Sequence, residues 1–123
     1  MNKFGFEKLE VWILAVDFAD IIISITERIC NTRHFRIAEQ LESASTSVSM
    51  NIAEGCGRNS DREMLQFLYY ARGSLNETIT LMTILKKRGW VNPEEYALIY
   101  NKASTISRML YAFINSQKRK LQP

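Results

Sequence analysis

The stretch NIAEGCGRNSDREMLQFL, Asn51 to Leu68, carries the reading that decides the fold. It sets Gly55 and Gly57 almost side by side in a chain with only five glycines. Gly55 or Gly57 suits the left-handed residue with which many helices end. Ser60 then fits an N-cap, and Glu63 three residues later completes a capping box. The segment reads as a helix stop, a short turn and a helix start. A phosphate-cradling loop would need G-x-x-x-x-G-K-[ST], or glycines following a strand, and neither is present.

Helical periodicity extends from this joint in both directions. Upstream, Ile37, Leu41, Ala44, Val48 and Ile52 form one stripe of a helix over about 35–56. The rest of its surface is small (Ser43, Ser45, Thr46, Ser47, Ser49), which suits either close approach of a neighbour or contact with water. Downstream, Met64, Leu68, Ala71, Leu75, Ile79, Met82 and Leu85 line a helix over about 61–88, flanked by Tyr70, Leu81 and Ile84. The cations and glycine of Lys86 to Gly89 suit a helix C-terminus. Asn92, Pro93 and Glu95 open a further helix over about 93–117. Its Tyr96, Ile99, Ala103, Ile106, Leu110 and Phe113 alternate threes and fours like a coiled-coil seam. The closing QKRKLQP reads as a frayed basic tail.

A first helix over about 9–31 is unusually apolar. Trp12, Ala15, Val16, Ala19, Ile22 and Ile23 fall on one face, and Leu14, Phe18, Ile21, Ile25 and Ile29 on the adjoining one. Only a wedge of Asp17, Asp20, Ser24, Glu27 and Arg28 is polar. The apolar arc is roughly twice the ~100° of an ordinary surface helix. One core cannot use all of it, so association of copies is expected. The candidate interface is Leu14, Phe18, Ile21, Ile25, Tyr70, Leu81 and Ile84, because obligate interfaces resemble a core cut in half. Short connectors force consecutive helices antiparallel. The expected fold is all-α: one domain over 1–123, an up-down-up-down four-helix bundle.

Composition narrows the function. The 123 residues are 46% hydrophobic and 24% charged, ordinary for one globular domain. The net charge of +3 permits a nucleic-acid partner without demanding one. No stretch approaches the roughly 20 apolar residues of a membrane span. The start, MNKFGFEKLEVW, lacks a signal-peptide layout, so the expected compartment is the cytoplasm. Cys30 and Cys56 read as buried reduced thiols. No Cys/His spacing or Glu-x-x-His pair would hold a metal. His34, the single histidine, lies in the polar connector NTRHFR and reads as a solvated imidazole. No cofactor, metal, catalytic residue or small-molecule substrate is therefore expected.

Two polar sets remain. Asn51, Glu54, Arg58, Ser74 and Glu77 form a candidate polar lock, with Glu77 or Glu54 pairing with Arg58 to fix helix or subunit register. Lys86, Lys87 and Arg88, and separately Lys118, Arg119 and Lys120, are candidate phosphate contacts at opposite poles. Binding through them would weaken steeply with salt.

NIAEGCGRNSDREMLQFLYYARGSLNE, with FEKLEVW near the start and IAEQL in the second helix, resembles the four-helix-bundle proteins encoded in intervening sequences of bacterial 23S ribosomal RNA genes. The likeness runs from about Phe6 to Ser116. It implies a homo-oligomer, usually a five-fold ring, with no established biochemical activity, and possible association with structured RNA follows from it. A distant branch of that fold serves diversity-generating reverse transcriptases as an accessory protein, so docking on such an enzyme is the alternative. The chain departs from the pattern in lacking a proline around Ser49 and bases at Glu42 and Ser43. The resemblance then implies a straighter second helix that makes less contact with RNA.

Overall fold

The computed structural model describes residues 3–123 and holds four long helices preceded by a short 3-10 turn, Gly5–Lys8. They are α1 (Glu10–Cys30), α2 (Phe35–Cys56), α3 (Asp61–Lys87) and α4 (Pro93–Lys120). Each helix packs beside its neighbours in the order α1–α2–α3–α4–α1, and the backbones of the diagonal pairs stay apart. The chain is thus an antiparallel up-down-up-down four-helix bundle. No helix among the described residues is long and apolar enough to cross a membrane.

Local signals account for the helix ends. Ser60 Oγ accepts from the Glu63 amide at 3.1 Å, capping α3. Asn92 Oδ1 accepts from the Glu95 amide at 2.8 Å while the Asn92 amide donates to Glu95 Oε1 at 3.2 Å, a complete capping box with Pro93 at the first turn. Gly89 takes a left-handed φ of 76°, and the Gly89 and Trp90 amides donate back to Lys86 O and Leu85 O. That is a Schellman closure of α3.

The glycine joint works differently from the expectation. Neither Gly55 nor Gly57 is left-handed: Gly55 lies inside α2, and Gly57 has φ −87°. Gly55 is needed for space. A Cβ there would lie 3.1 Å from both Met64 Sδ and Phe67 Cβ and 3.3 Å from Met64 O. The α2–α3 seam is the closest in the bundle, and small residues of α2 make it possible. Ala44, Ser45, Ser49 and Gly55 are buried. The Ser45 and Ser49 hydroxyls donate to Glu42 O and Thr46 O one turn back, so they enter the core with partners of their own. The helix runs unbroken past Ser49.

The apolar surplus of α1 is largely taken up inside the subunit. This helix lies between α2 and α4, so it needs two packing seams. Phe18, Ile22, Ile25 and Ile29 are all buried with Ala15 and Ala19. Phe18, Ile25 and Leu81 therefore fill the subunit's own core and are withdrawn from the candidate interface. What α1 still shows to solvent is chiefly Ile13 and Val16. A second correction concerns the tail: Lys118–Lys120 form the last turn of α4 and are not frayed.

Candidate nucleic-acid interface

In an antiparallel bundle the α1–α2 and α3–α4 turns emerge at the same pole, and here side chains tie them together. The His34 imidazole stacks on the Trp90 indole with ring centroids 3.6 Å apart and planes tilted by 15°. His34 is half-buried by that stack, which corrects its reading as a solvated imidazole. At the same end Arg28 makes a bidentate pair with Glu95, Nη1 donating to Oε2 at 2.6 Å and Nη2 to Oε1 at 3.0 Å. Its Nη2 also reaches the Trp90 carbonyl at 3.4 Å. Glu95 thus caps α4 and clamps it to the end of α1. The guanidinium beside it holds its carboxyl below the ordinary glutamate range.

This scaffold carries a cluster of cations. Arg33 comes from the α1–α2 connector and Arg36 from the first turn of α2, while Lys86 and Lys87 end α3 and Arg88 is its C-cap. Lys86 Nζ lies 4.5 Å from the Tyr96 ring, whose hydroxyl bonds Thr83 Oγ1 at 2.9 Å. The Arg88 guanidinium lies 5.5 Å from the Trp90 ring. Such cation–π contacts contribute about 0.5–1 kcal/mol at exposed sites and orient long side chains. The two ion pairs found among the described residues involve none of these five cations. Glu27, Glu39 and Glu94 share the pole and temper its field. Arg33 adopts φ 75°, unusual for a residue with a Cβ.

The sequence pattern singles out Lys86, Lys87 and Arg88 but misses Arg33, Arg36 and Trp90. Their signal was available, since short connectors put both turns at one end. What no pattern discloses is the His34–Trp90 stack. Lys118, Arg119 and Lys120 lie at the far pole, where Lys118 Nζ is 6.0 Å from the Tyr69 ring of α3.

The candidate polar lock comes together only in part. Arg58 Nη2 donates to Glu54 Oε1 at 2.7 Å, and its guanidinium lies 4.6 Å from the Phe67 ring. This links the end of α2 to the first turns of α3. Both charges are well exposed, so the pair is worth at most about 0.5 kcal/mol. Asn51 Nδ2 donates to Ser47 O at 2.8 Å within its own helix. Ser74 offers its carbonyl to Thr78 Oγ1. Glu77 is exposed and lies ten residues beyond Phe67, roughly 15 Å along α3. Within one subunit it is out of reach of Arg58.

The cysteines also depart from expectation. Cys30 is exposed and Cys56 half-buried, the latter with its thiol pushed up by an apolar setting. No cluster of three or more His, Cys, Asp or Glu side chains suited to a metal occurs among the described residues.

Comparison with known proteins agrees with this architecture. The profile of the family described as 23S rRNA-intervening sequence protein matches residues 7–112. Among solved structures, a protein of unknown function from the S23 ribosomal protein family of Bacteroides thetaiotaomicron superimposes with a TM-score of 0.82. It is 25% identical, over 85% of this chain and 97% of that one. No curated protein matches the chain.

Proposed function

Because the chain belongs to the family of 23S rRNA-intervening sequence proteins, we propose that it is a non-enzymatic, homo-oligomeric helical scaffold whose basic pole takes structured RNA. The observation that carries this reading is the convergence of two turns. Arg33, Arg36, Lys86, Lys87 and Arg88 stand on one end, held in register by the His34–Trp90 stack and the Arg28–Glu95 clamp. Guanidinium and ammonium groups gathered at one end suit the phosphates of a folded backbone. Nothing here presents a row of unstacked aromatics for reading single-stranded bases.

Two separate surfaces support association. Leu14 and Ile21 lie half-buried beside the thin α1–α4 seam, whereas Tyr70 and Ile84 are exposed on α3. Since α1 and α3 are diagonal, these patches belong to opposite sides of the bundle. A contact that joins unlike faces head to tail makes a ring when its rotation closes, and the family likeness favours a closed ring of five copies. Gly73 adds to the α3 patch. It sits in the middle of a helix with nothing within 4 Å of its missing Cβ. Glycine there costs about 1 kcal/mol relative to alanine, and no packing inside the subunit explains it. Close approach by another helix would. The same face would also suit docking on an RNA-processing or reverse-transcribing enzyme, the second reading.

Light scattering at micromolar concentration should give a multiple of 14.3 kDa; a single 14.3 kDa particle overturns self-association and leaves the α3 face to a different protein. Filter binding to fragments of 23S ribosomal RNA should weaken with salt. Five phosphate contacts give a log–log slope of roughly −3.5 to −4.5. Reversing Arg33 and Arg36 to glutamate should flatten it. A weak, salt-independent response removes RNA from the proposal.

A further inference from the structure

The charges of this chain are sorted by helix, which a net charge of +3 conceals. α1 carries Glu10, Asp17, Asp20 and Glu27 against Arg28 alone, and α2 carries Glu39, Glu42 and Glu54 against Arg36 alone. α4 reverses the balance. After Glu94 and Glu95 in its first turn it has no acid, whereas Lys102, Arg108 and its last turn are basic. α3 is nearer to balance, but Asp61 and Glu63 stand in its first turn and only Glu77 lies further along. Since the helices pack in chain order, α1–α2 and α3–α4 are opposite edges of the bundle. One edge is acidic and the other basic.

Side-chain contacts trace a path along the basic edge from one pole to the other. Lys86, already part of the basic pole, lies over the Tyr96 ring, and that ring stands 5.9 Å from the Tyr100 ring between centroids. Tyr100 begins a groove of about 370 Å³ between α3 and α4, whose wall also takes Asn76, Thr80, Ser104 and Ser107 but not Glu77. Past the groove the Tyr69 ring holds a cation from each helix, the Arg72 guanidinium at 4.9 Å and Lys118 Nζ at 6.0 Å. From Tyr96 to Lys118 the path is roughly 33 Å long.

The lining selects the partner. Protein interfaces are depleted of serine at their cores, whereas this groove is walled largely by neutral hydroxyls and an amide. Tyr96 and Tyr69 are covered by cations, so the edge offers no row of free rings to unpaired bases. Neutral hydrogen-bonding groups between flanking cations match the shallow minor groove of A-form RNA, where 2′-hydroxyls lie between phosphates. The edge is also continuous with the basic pole through Lys86.

We propose that the α3–α4 edge seats a double-helical RNA stem and extends the basic pole into one track. This rests on the RNA-binding reading and adds to it the form of the RNA and the length of the contact. Lys86 takes phosphates at one end of the track, Arg72 and Lys118 at the other, and the groove's hydroxyls meet ribose 2′-hydroxyls between them. The acidic α1–α2 edge repels the same duplex.

The test is filter binding of the full chain to an RNA stem of about 16 base pairs, the span of a known duplex-binding domain, and to one of half that length. The shorter stem should bind about tenfold more weakly, and the longer should show a steeper salt slope than the pole alone gives. A DNA duplex of the same sequence lacks the 2′-hydroxyls and should lose about tenfold, the worth of one or two neutral hydrogen bonds. Ser104→Ala with Ser107→Ala should erase that preference at unchanged slope. Arg72→Gln with Lys118→Gln should flatten the slope by about 1.4–1.8, two phosphate contacts. If the parent binds neither stem, the RNA reading and this inference fall together. If reversing Arg33 and Arg36 abolishes binding, yet stem length, the DNA duplex and the Arg72/Lys118 pair change nothing, the lateral track alone falls. If that pair instead lowers the mass seen by light scattering and leaves the slope intact, the edge seats the acidic edge of a second copy and the proposal is overturned.

Discussion

The two poles of the bundle are built on different terms. At the basic pole, polar groups find partners across helices: Arg28 with Glu95, His34 with Trp90, Thr83 with Tyr96. At the glycine pole the closest contact is steric, and the cross-helix charged contacts are cations over rings, Arg58 on Phe67 and Lys118 on Tyr69. Gly55 lets α2 close on Met64 and Phe67, and nearby Gln117 Oε1 is buried without a hydrogen-bond partner. The first end is cross-linked by directional interactions, and two of its cations, Lys86 and Arg88, lie against the rings that take part in them. The second depends on the absence of a single methyl group and leaves room.

The largest expected effect tests the steric end. Gly55→Val would push α2 away from α3 against atoms attached to the α3 backbone. A loss of about 3 kcal/mol is expected from overpacking, read as a lower urea midpoint at unchanged slope. An unperturbed midpoint would mean that the seam has slack and that the glycine is there for another reason.

Trp90→Ala sharpens the other side of the comparison. The indole carries the His34 stack and the Arg88 contact, so truncation should cost about 2 kcal/mol. It should also weaken RNA binding without altering its salt slope, because the cations remain and only their placement is loosened. A loss of slope would show that the indole itself holds a phosphate contact in place.

The smallest effect is the pH response of the clamp. The Glu95 carboxyl titrates lower in the folded chain than when unfolded, so its stabilisation is complete above the ordinary glutamate value of about 4.3 and is lost as pH falls through the folded value. Arg28 is half exposed, which limits the pair to about 0.5–1 kcal/mol. Glu95→Gln should therefore melt lower than the parent at pH 7, and the two should converge toward pH 3. A constant gap across that range would assign the difference to the cap alone.

Much of this was legible in the residues, for identifiable reasons. The Ser60 and Asn92 caps are local interactions spanning three residues, and their spacing is their mechanism. The period of the apolar stripes on α2, α3 and α4 is a property of the helix itself. The role of Gly55 was not legible, because a left-handed turn and a close approach call for the same residue. Phe18, Ile25 and Leu81 were misplaced for a related reason. Periodicity says how wide an apolar arc is, not how many neighbours will share it, and α1 packs against two. The candidate RNA contacts were half visible, since Lys86 to Arg88 form a run whereas Arg33 and Arg36 join them only across the bundle.

By itself the sequence determined the number of helices, where they start and stop, and their antiparallel order, since caps, periodicity and connector length act over a few residues. Only the tertiary structure decided which apolar side chains stay inside, that His34 meets Trp90, and that Gln117 Oε1 is buried without a hydrogen-bond partner. Those outcomes depend on distances between segments far apart in the chain, and such distances are set when four helices compete for the same core volume.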